Sequence, residues 1–175
     1  GYRVNDRTNE FRRSSYYLTC DRVNGVLTVY TDSTMRIPIK TIRVSVGKAG
    51  TETPTGTWTM HRAGRWQELM GPSWGQYGTH VVNGIFVHSV ACGQANSYNL
   101  PVGEYLRLGN PASHGCIRAC VADAKWVWDN CNGSKIHIFD GTYTSNEALK
   151  GPLGRKALTP LRGSKNFDPT DPACK

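Results

Sequence analysis

The chain has 175 residues, with 21 Lys and Arg against 13 Asp and Glu, and a formal charge of +8. That length suits one domain with a buried core, and a composition 38% hydrophobic and 10% aromatic excludes wholesale disorder. No apolar run approaches the roughly 20 residues of a membrane-spanning helix.

Residues 1–22 are polar and irregular and read as an N-terminal arm or linker. No apolar stretch marks residues 1–13 as a signal peptide, and Gly1 in place of Met leads us to expect that a targeting segment was trimmed. From Val23 the pattern changes. Val26, Leu27, Thr28, Val29 and Tyr30 form a β-rich run, followed by turn chemistry at Asp32 and Ser33. Residues 37–46 again read as strand, 47–56 as loop, and Thr57 to Met60 as a short strand. Residues 62–79 are rich in Gly and aromatics and read as a long surface loop, in which Trp66, Trp74 and Tyr77 pack or line a groove. Two strand-like pieces flank Asn83-Gly84, a hairpin signal. Residues 92–112 are irregular. One amphipathic helix follows, with Val121, Ala124, Val127, Trp128 and Cys131 at helical spacing and a stop at Asn130 to Gly133. Lys135 to Phe139 reads as a closing strand. Residues 141–175 read as a tail packed on the domain. The fold expected is mostly β with one main helix.

The six cysteines are Cys20, Cys92, Cys116, Cys120, Cys131 and Cys174. They are many for a cytosolic chain of this size and few for a disulfide scaffold, so one or two bridges in an oxidising compartment are expected, their pairing unreadable. Zinc is not expected. His114, Cys116, Cys120 and Cys131 are spaced H-x-C-x3-C-x10-C, with no second close Cys pair, and a helix over 120–131 would separate its end cysteines by ~16 Å. The basic residues are spread along the chain. Nucleic acid is therefore not expected as a partner, whereas an anionic wall polymer would suit the charge.

The chemistry concentrates in Ser113-His114-Gly115-Cys116-Ile117-Arg118, just before the helix. A cysteine between a Gly turn and a helix start gains backbone N–H donors and the helix dipole. Both favour a thiolate, and the same donors serve as an oxyanion hole. A thiol nucleophile needs a base, and Ile85-Phe86-Val87-His88 sets a histidine at the end of an apolar strand. His114 is the alternative base, but its ring would point across a tight turn. Arg118 supplies a fixed cation for a substrate carboxylate.

This hexapeptide resembles the signature of the L,D-transpeptidase (YkuD) catalytic domain. Val44-Ser45-Val46-Gly47 and Thr51-Glu52-Thr53-Pro54-Thr55-Gly56-Thr57-Trp58 resemble a second hallmark of that family, and the likeness covers residues 26–140 in the family's order. The resemblance implies a YkuD-like β-sandwich over residues 23–140, in an extracytoplasmic bacterial enzyme of the cell wall. It implies that Cys116 attacks the L-centre carbonyl of the third residue of a peptidoglycan stem and releases D-alanine. A second stem's amine then resolves the acyl-enzyme to a 3→3 crosslink, or water resolves it in an L,D-carboxypeptidase.

By the same likeness His88 is the base, oriented by the Ser89 carbonyl. The N–H groups of His114, Gly115 and Cys116 form the oxyanion hole, and Ser113, His114 and Arg118 shape the site. No cofactor and no metal are expected, the protein is expected to be a monomer, and a carbapenem should acylate Cys116. Two features depart from the family pattern. Residues 89–112 are a long insertion that could cover the site, and Cys120 stands where a Ser or Thr helix cap is expected. A sortase-like cysteine peptidase and a non-catalytic wall-binding module are the rival readings.

Overall fold

The structure is a computed structural model. It describes residues 15–174 and, before them, the backbone of strands β1 (Tyr2–Asn5) and β2 (Glu10–Arg13), which pair antiparallel. Eleven further strands follow: β3 (Tyr17–Asp21), β4 (Val26–Tyr30), β5 (Pro38–Arg43), β6 (Gly56–Thr59), β7 (His61–Arg62), β8 (Trp66–Leu69), β9 (Ser73–Gln76), β10 (Thr79–Val82), β11 (Ile85–Ser89), β12 (Ile117–Ala119) and β13 (Lys135–Phe139). The α-helices are α1 (Val102–Leu106) and α2 (Val121–Asn130). Among the described residues no helix is long and apolar enough to cross a membrane.

Two sheets enclose the core. A five-stranded sheet runs β5-β4-β3-β13-β6 and a four-stranded sheet β12-β11-β10-β7. Leu18, Leu27, Val29, Ile42, Ile136 and Ile138 from the first meet Val81, Val87 and Ile117 from the second in one apolar cluster. Helix α2 closes it with Val127, its polar face outward, as the 3.6-residue pattern requires. The architecture is thus mostly β.

The sequence placed residues 1–22 in an arm, but β3 is the middle strand of the five. It lies antiparallel to β4 and parallel to β13, 118 residues further along the chain. Only Leu18 and Cys20 point into the main cluster, flanked by polar Tyr17, Thr19 and Asp21. Two apolar residues are too short an alternation to stand out, and the strand is fixed by its long-range partners. The expected loop at 62–79 is instead the β8–β9 hairpin followed by the start of β10, with Trp66 opposite Gln76 and Glu68 opposite Trp74.

The insertion after His88 packs as a second core rather than spreading over the surface. Val90, Leu100, Tyr105 and Leu108 cluster with Leu158 and Leu161 from the tail, and the Tyr105 hydroxyl donates to the Thr159 carbonyl at 2.6 Å. Further along, Phe167 and Asp168 are buried. The Asp168 carboxylate accepts the Val121 N–H at 2.8 Å and Thr170 Oγ1 accepts the Ala122 N–H at 3.1 Å. These groups cap α2 from outside its own sequence. Cys120, at the cap position, makes no side-chain cap bond, and its thiol points to Asp123.

The expected disulfides are absent: all six cysteines are free thiols. Cys20 and Cys131 are packed inside the main core, where burial pushes each thiol up to about 12.

Candidate active site

The turn at residues 113–116 is held from three sides. The Thr53 hydroxyl, fully buried, accepts the Gly47 N–H at 2.9 Å and donates to the Gly115 carbonyl at 2.6 Å. Thr51 Oγ1 donates to the Ser113 carbonyl at 2.9 Å, and the Lys48 N–H donates to the same oxygen at 3.0 Å. Thr51 and Thr53, with the Lys48 N–H, are therefore the brace of the cysteine turn. Gly115 sits at φ +124°, and a Cβ there would lie 2.8 Å from Ile85 Cδ1, so both backbone and space demand glycine.

Cys116 Sγ lies against the β10–β11 turn. The Phe86 N–H points to the sulfur at 3.4 Å, and the thiol faces the Gly84 carbonyl at 3.6 Å. The sequence placed Cys116 at a helix start, but β12 intervenes, pairing in parallel with β11, and α2 begins only at Val121. The helix dipole fades within a turn and does not reach the sulfur. Burial raises the Cys116 pKa, opposed by the Phe86 N–H and by the charge of Arg118. The direction of this shift favours the thiol, whereas the sequence led us to expect a thiolate.

His88 is 1% exposed at the end of β11. Its Nδ1 bonds to the Ser89 carbonyl, which can only accept, so Nδ1 carries the proton and Nε2 the free lone pair. The backbone of Gly75 on β9 packs against the ring. A Cβ at that position would lie 2.5 Å from Nδ1. The hairpin is held there by the Gln76 N–H, which donates to Ser89 Oγ at 2.8 Å, and by the paired backbones of Trp74 and Cys92. Desolvation pushes the imidazole down to about 4, with Arg118 adding to the effect and the Ser89 bond opposing it.

Cys116 and His88 line one cavity of about 230 Å³. Ser113, His114 and Arg118 also line it, with Gly84 and Phe86 from the β10–β11 hairpin. Glu68, Leu69, Met70 and Ser73 come from the β8–β9 hairpin. The insertion contributes Ala91 alone, so the β8–β9 hairpin borders the site more than the insertion does.

Three expected roles change. Ser113, 1% exposed, accepts the Gly115 N–H at 3.1 Å and donates to the Cys116 carbonyl at 2.6 Å, so its hydroxyl is spent on locking the turn. The Gly115 N–H is thereby occupied, which leaves the N–H groups of His114 and Cys116 as the turn's donors. Arg118 sits beside His88 in register, and its Nη1 donates to Glu104 Oε2 at 2.8 Å. Its charge is already met by an acid from the insertion. His114 is exposed on the cavity rim. Gly75, Glu68 and Glu104 escaped the sequence reading because each meets the site only through tertiary packing.

The sequence profile of the YkuD L,D-transpeptidase catalytic domain matches residues 15–147, and the chain belongs to that family. Over 27 residues it is 59% identical to YciB of Bacillus subtilis (strain 168), a stretch covering 15% of this chain and 14% of that protein. An L,D-transpeptidase from Mycobacterium tuberculosis H37Rv shares the fold with a TM-score of 0.57 and 19% identity, over 72% of this chain and 58% of that one. L,D-transpeptidase 3 from Mycobacterium tuberculosis, in complex with a faropenem-derived adduct, matches with a TM-score of 0.53 and 18% identity, over 72% and 60%. The chain spans little more than half the length of these solved chains.

Proposed function

We propose that this chain is an extracytoplasmic peptidoglycan L,D-transpeptidase whose nucleophile is Cys116 and whose general base is His88. The observation that carries this reading is the placing of both groups on one cavity, with the imidazole tautomer fixed to leave Nε2 as acceptor. Both groups rest uncharged, because burial raises the thiol and lowers the imidazole. Attack therefore couples to proton transfer. As the sulfur adds to the carbonyl of the third stem residue, its proton passes to His88 Nε2. The N–H groups of His114 and Cys116 hold the developing oxyanion, a role worth about 10²–10³ in rate for a single donor elsewhere. The imidazolium then gives its proton to the departing D-alanine amine, leaving a thioester. An amine from a second stem attacks that thioester and gives the crosslink. The Phe86 N–H, aimed at the sulfur, favours the thiolate as it leaves. A charge of +8 favours approach to an anionic wall.

The test is intact mass after brief exposure to a carbapenem, followed by turnover of a tetrapeptide stem. A single adduct on the parent, none on Cys116→Ala with an unchanged fold, and D-alanine release are expected. Dimer or tripeptide among the products distinguishes transpeptidase from carboxypeptidase. Crosslinking retained by Cys116→Ala would overturn the proposal.

A further inference from the structure

One charged group on the cavity wall has no counterpart. Glu68, on β8, is exposed and lines the cavity with Cys116, and among the described residues its carboxylate has no hydrogen-bond or ion-pair partner. Arg118, on the same cavity, and Arg65, three residues before Glu68, are engaged elsewhere. Arg118 is bound to Glu104, and Arg65 donates to Gln76 Oε1 at 2.8 Å while stacking 4.0 Å from the Tyr77 ring centre. A chain carrying 21 Lys and Arg has thus left an acid unneutralised on the cavity that its thiol lines. Apolar Leu69 and Met70 follow it on the same wall, suiting the methylene stem of a side-chain amine.

We propose that Glu68 binds the ammonium group of the incoming stem and so selects an amine, rather than water, to resolve the acyl-enzyme. This rests on the transpeptidase reading above. The ammonium docks at Glu68, loses one proton to solvent, and its nitrogen attacks the thioester carbonyl. The C–N bond forms and the C–S bond breaks. The second nitrogen proton passes through His88 to the departing sulfur, giving an amide and the free thiol.

The two fates of one acyl-enzyme give a readout that does not depend on how fast it forms. The parent enzyme, Glu68→Gln and Glu68→Lys are each given a tetrapeptide donor and a stem acceptor with a side-chain amine. The ratio of amide to hydrolysed product is measured, and intact mass records the acyl-enzyme. An exposed ion pair predicts that the ratio falls about threefold to fivefold in Glu68→Gln and further in Glu68→Lys. The gap between parent and variants should narrow as salt is raised. Hydroxylamine, uncharged at neutral pH, should partition alike in all three. An unchanged ratio with the cationic acceptor overturns the proposal, as does an equal fall with hydroxylamine or an acyl-enzyme that passes only to water. If the parent forms no acyl-enzyme, the transpeptidase reading itself fails. If it forms one and the ratio is unmoved, the Glu68 proposal fails alone.

Discussion

Gly75→Ala offers a direct test of how tightly the base is positioned. The added methyl would stand 2.5 Å from His88 Nδ1 and 2.8 Å from Cγ, where ordinary contact begins near 3.4 Å. The ring or the hairpin must therefore shift by about 0.9 Å, the shortfall between those distances. Gly75 has no left-handed backbone angle, so the substitution adds no backbone strain. The ring cannot swing away freely, because Nδ1 is tied to the Ser89 carbonyl and the side chain is buried. A misplacement of ~1 Å at a reacting group costs on the order of 10² in rate, about 2.7 kcal/mol of barrier. Overpacking of this size costs the fold about 1–3 kcal/mol. The assay is the carbapenem acylation rate followed by mass, beside a thermal melt. We expect a folded variant acylated roughly 100-fold more slowly. A folded Gly75→Ala acylated at the parent rate would refute the assignment of His88 as a base held by this contact.

Three further outcomes are expected. With His88 lowered from 6.5 to about 4, the unfolded chain binds a proton between those values that the native one does not. Stability is therefore full above pH 6.5 and falls by about 3 kcal/mol as pH drops to 4, and melts against pH should show this slope flattened in His88→Gln. Glu104→Gln removes the acid that fixes the Arg118 side chain on the cavity wall, and donor KM should rise by about threefold to tenfold with kcat less affected, as expected for a wall residue that loses its fixed position rather than a group that reacts. An unchanged KM would assign the pair to structure alone. Asp168→Ala removes the acceptor at the start of α2 and should cost about 1–2 kcal/mol in denaturant melts, while Cys120→Ser, whose side chain makes no cap bond, should cost far less.

Some of this molecule could be read from residue order. The string from Ser113 to Arg118 and the strand ending at His88 do meet at one cavity, and the Ser89 carbonyl does hold the ring. Helix α2, with Val121, Ala124 and Val127 inward, and strand β13 follow their local periodicity. What escaped depends on partners distant in sequence. Strand β3 owes its place to β4 and β13. The β8–β9 hairpin hides in a stretch of glycines and aromatics without clear alternation. The three residues of β12, too short for any pattern, together with Cys120 separate Cys116 from the helix and remove the dipole from its chemistry. The turn donors were anticipated as a group, but only the Ser113 side chain decides that Gly115 is not among them.

The capping of α2 from the tail bears on the order in which the chain is made. Val121 waits for an acceptor 47 residues further along, and Ala122 for one 48 residues further. During vectorial synthesis the helix that closes the main core emerges with its first amides unanswered, and a ten-residue helix is marginal by itself. Asp168 and Thr170 then act as a latch that sets late. Partial chains should remain susceptible to proteases along residues 121–130 until that latch arrives.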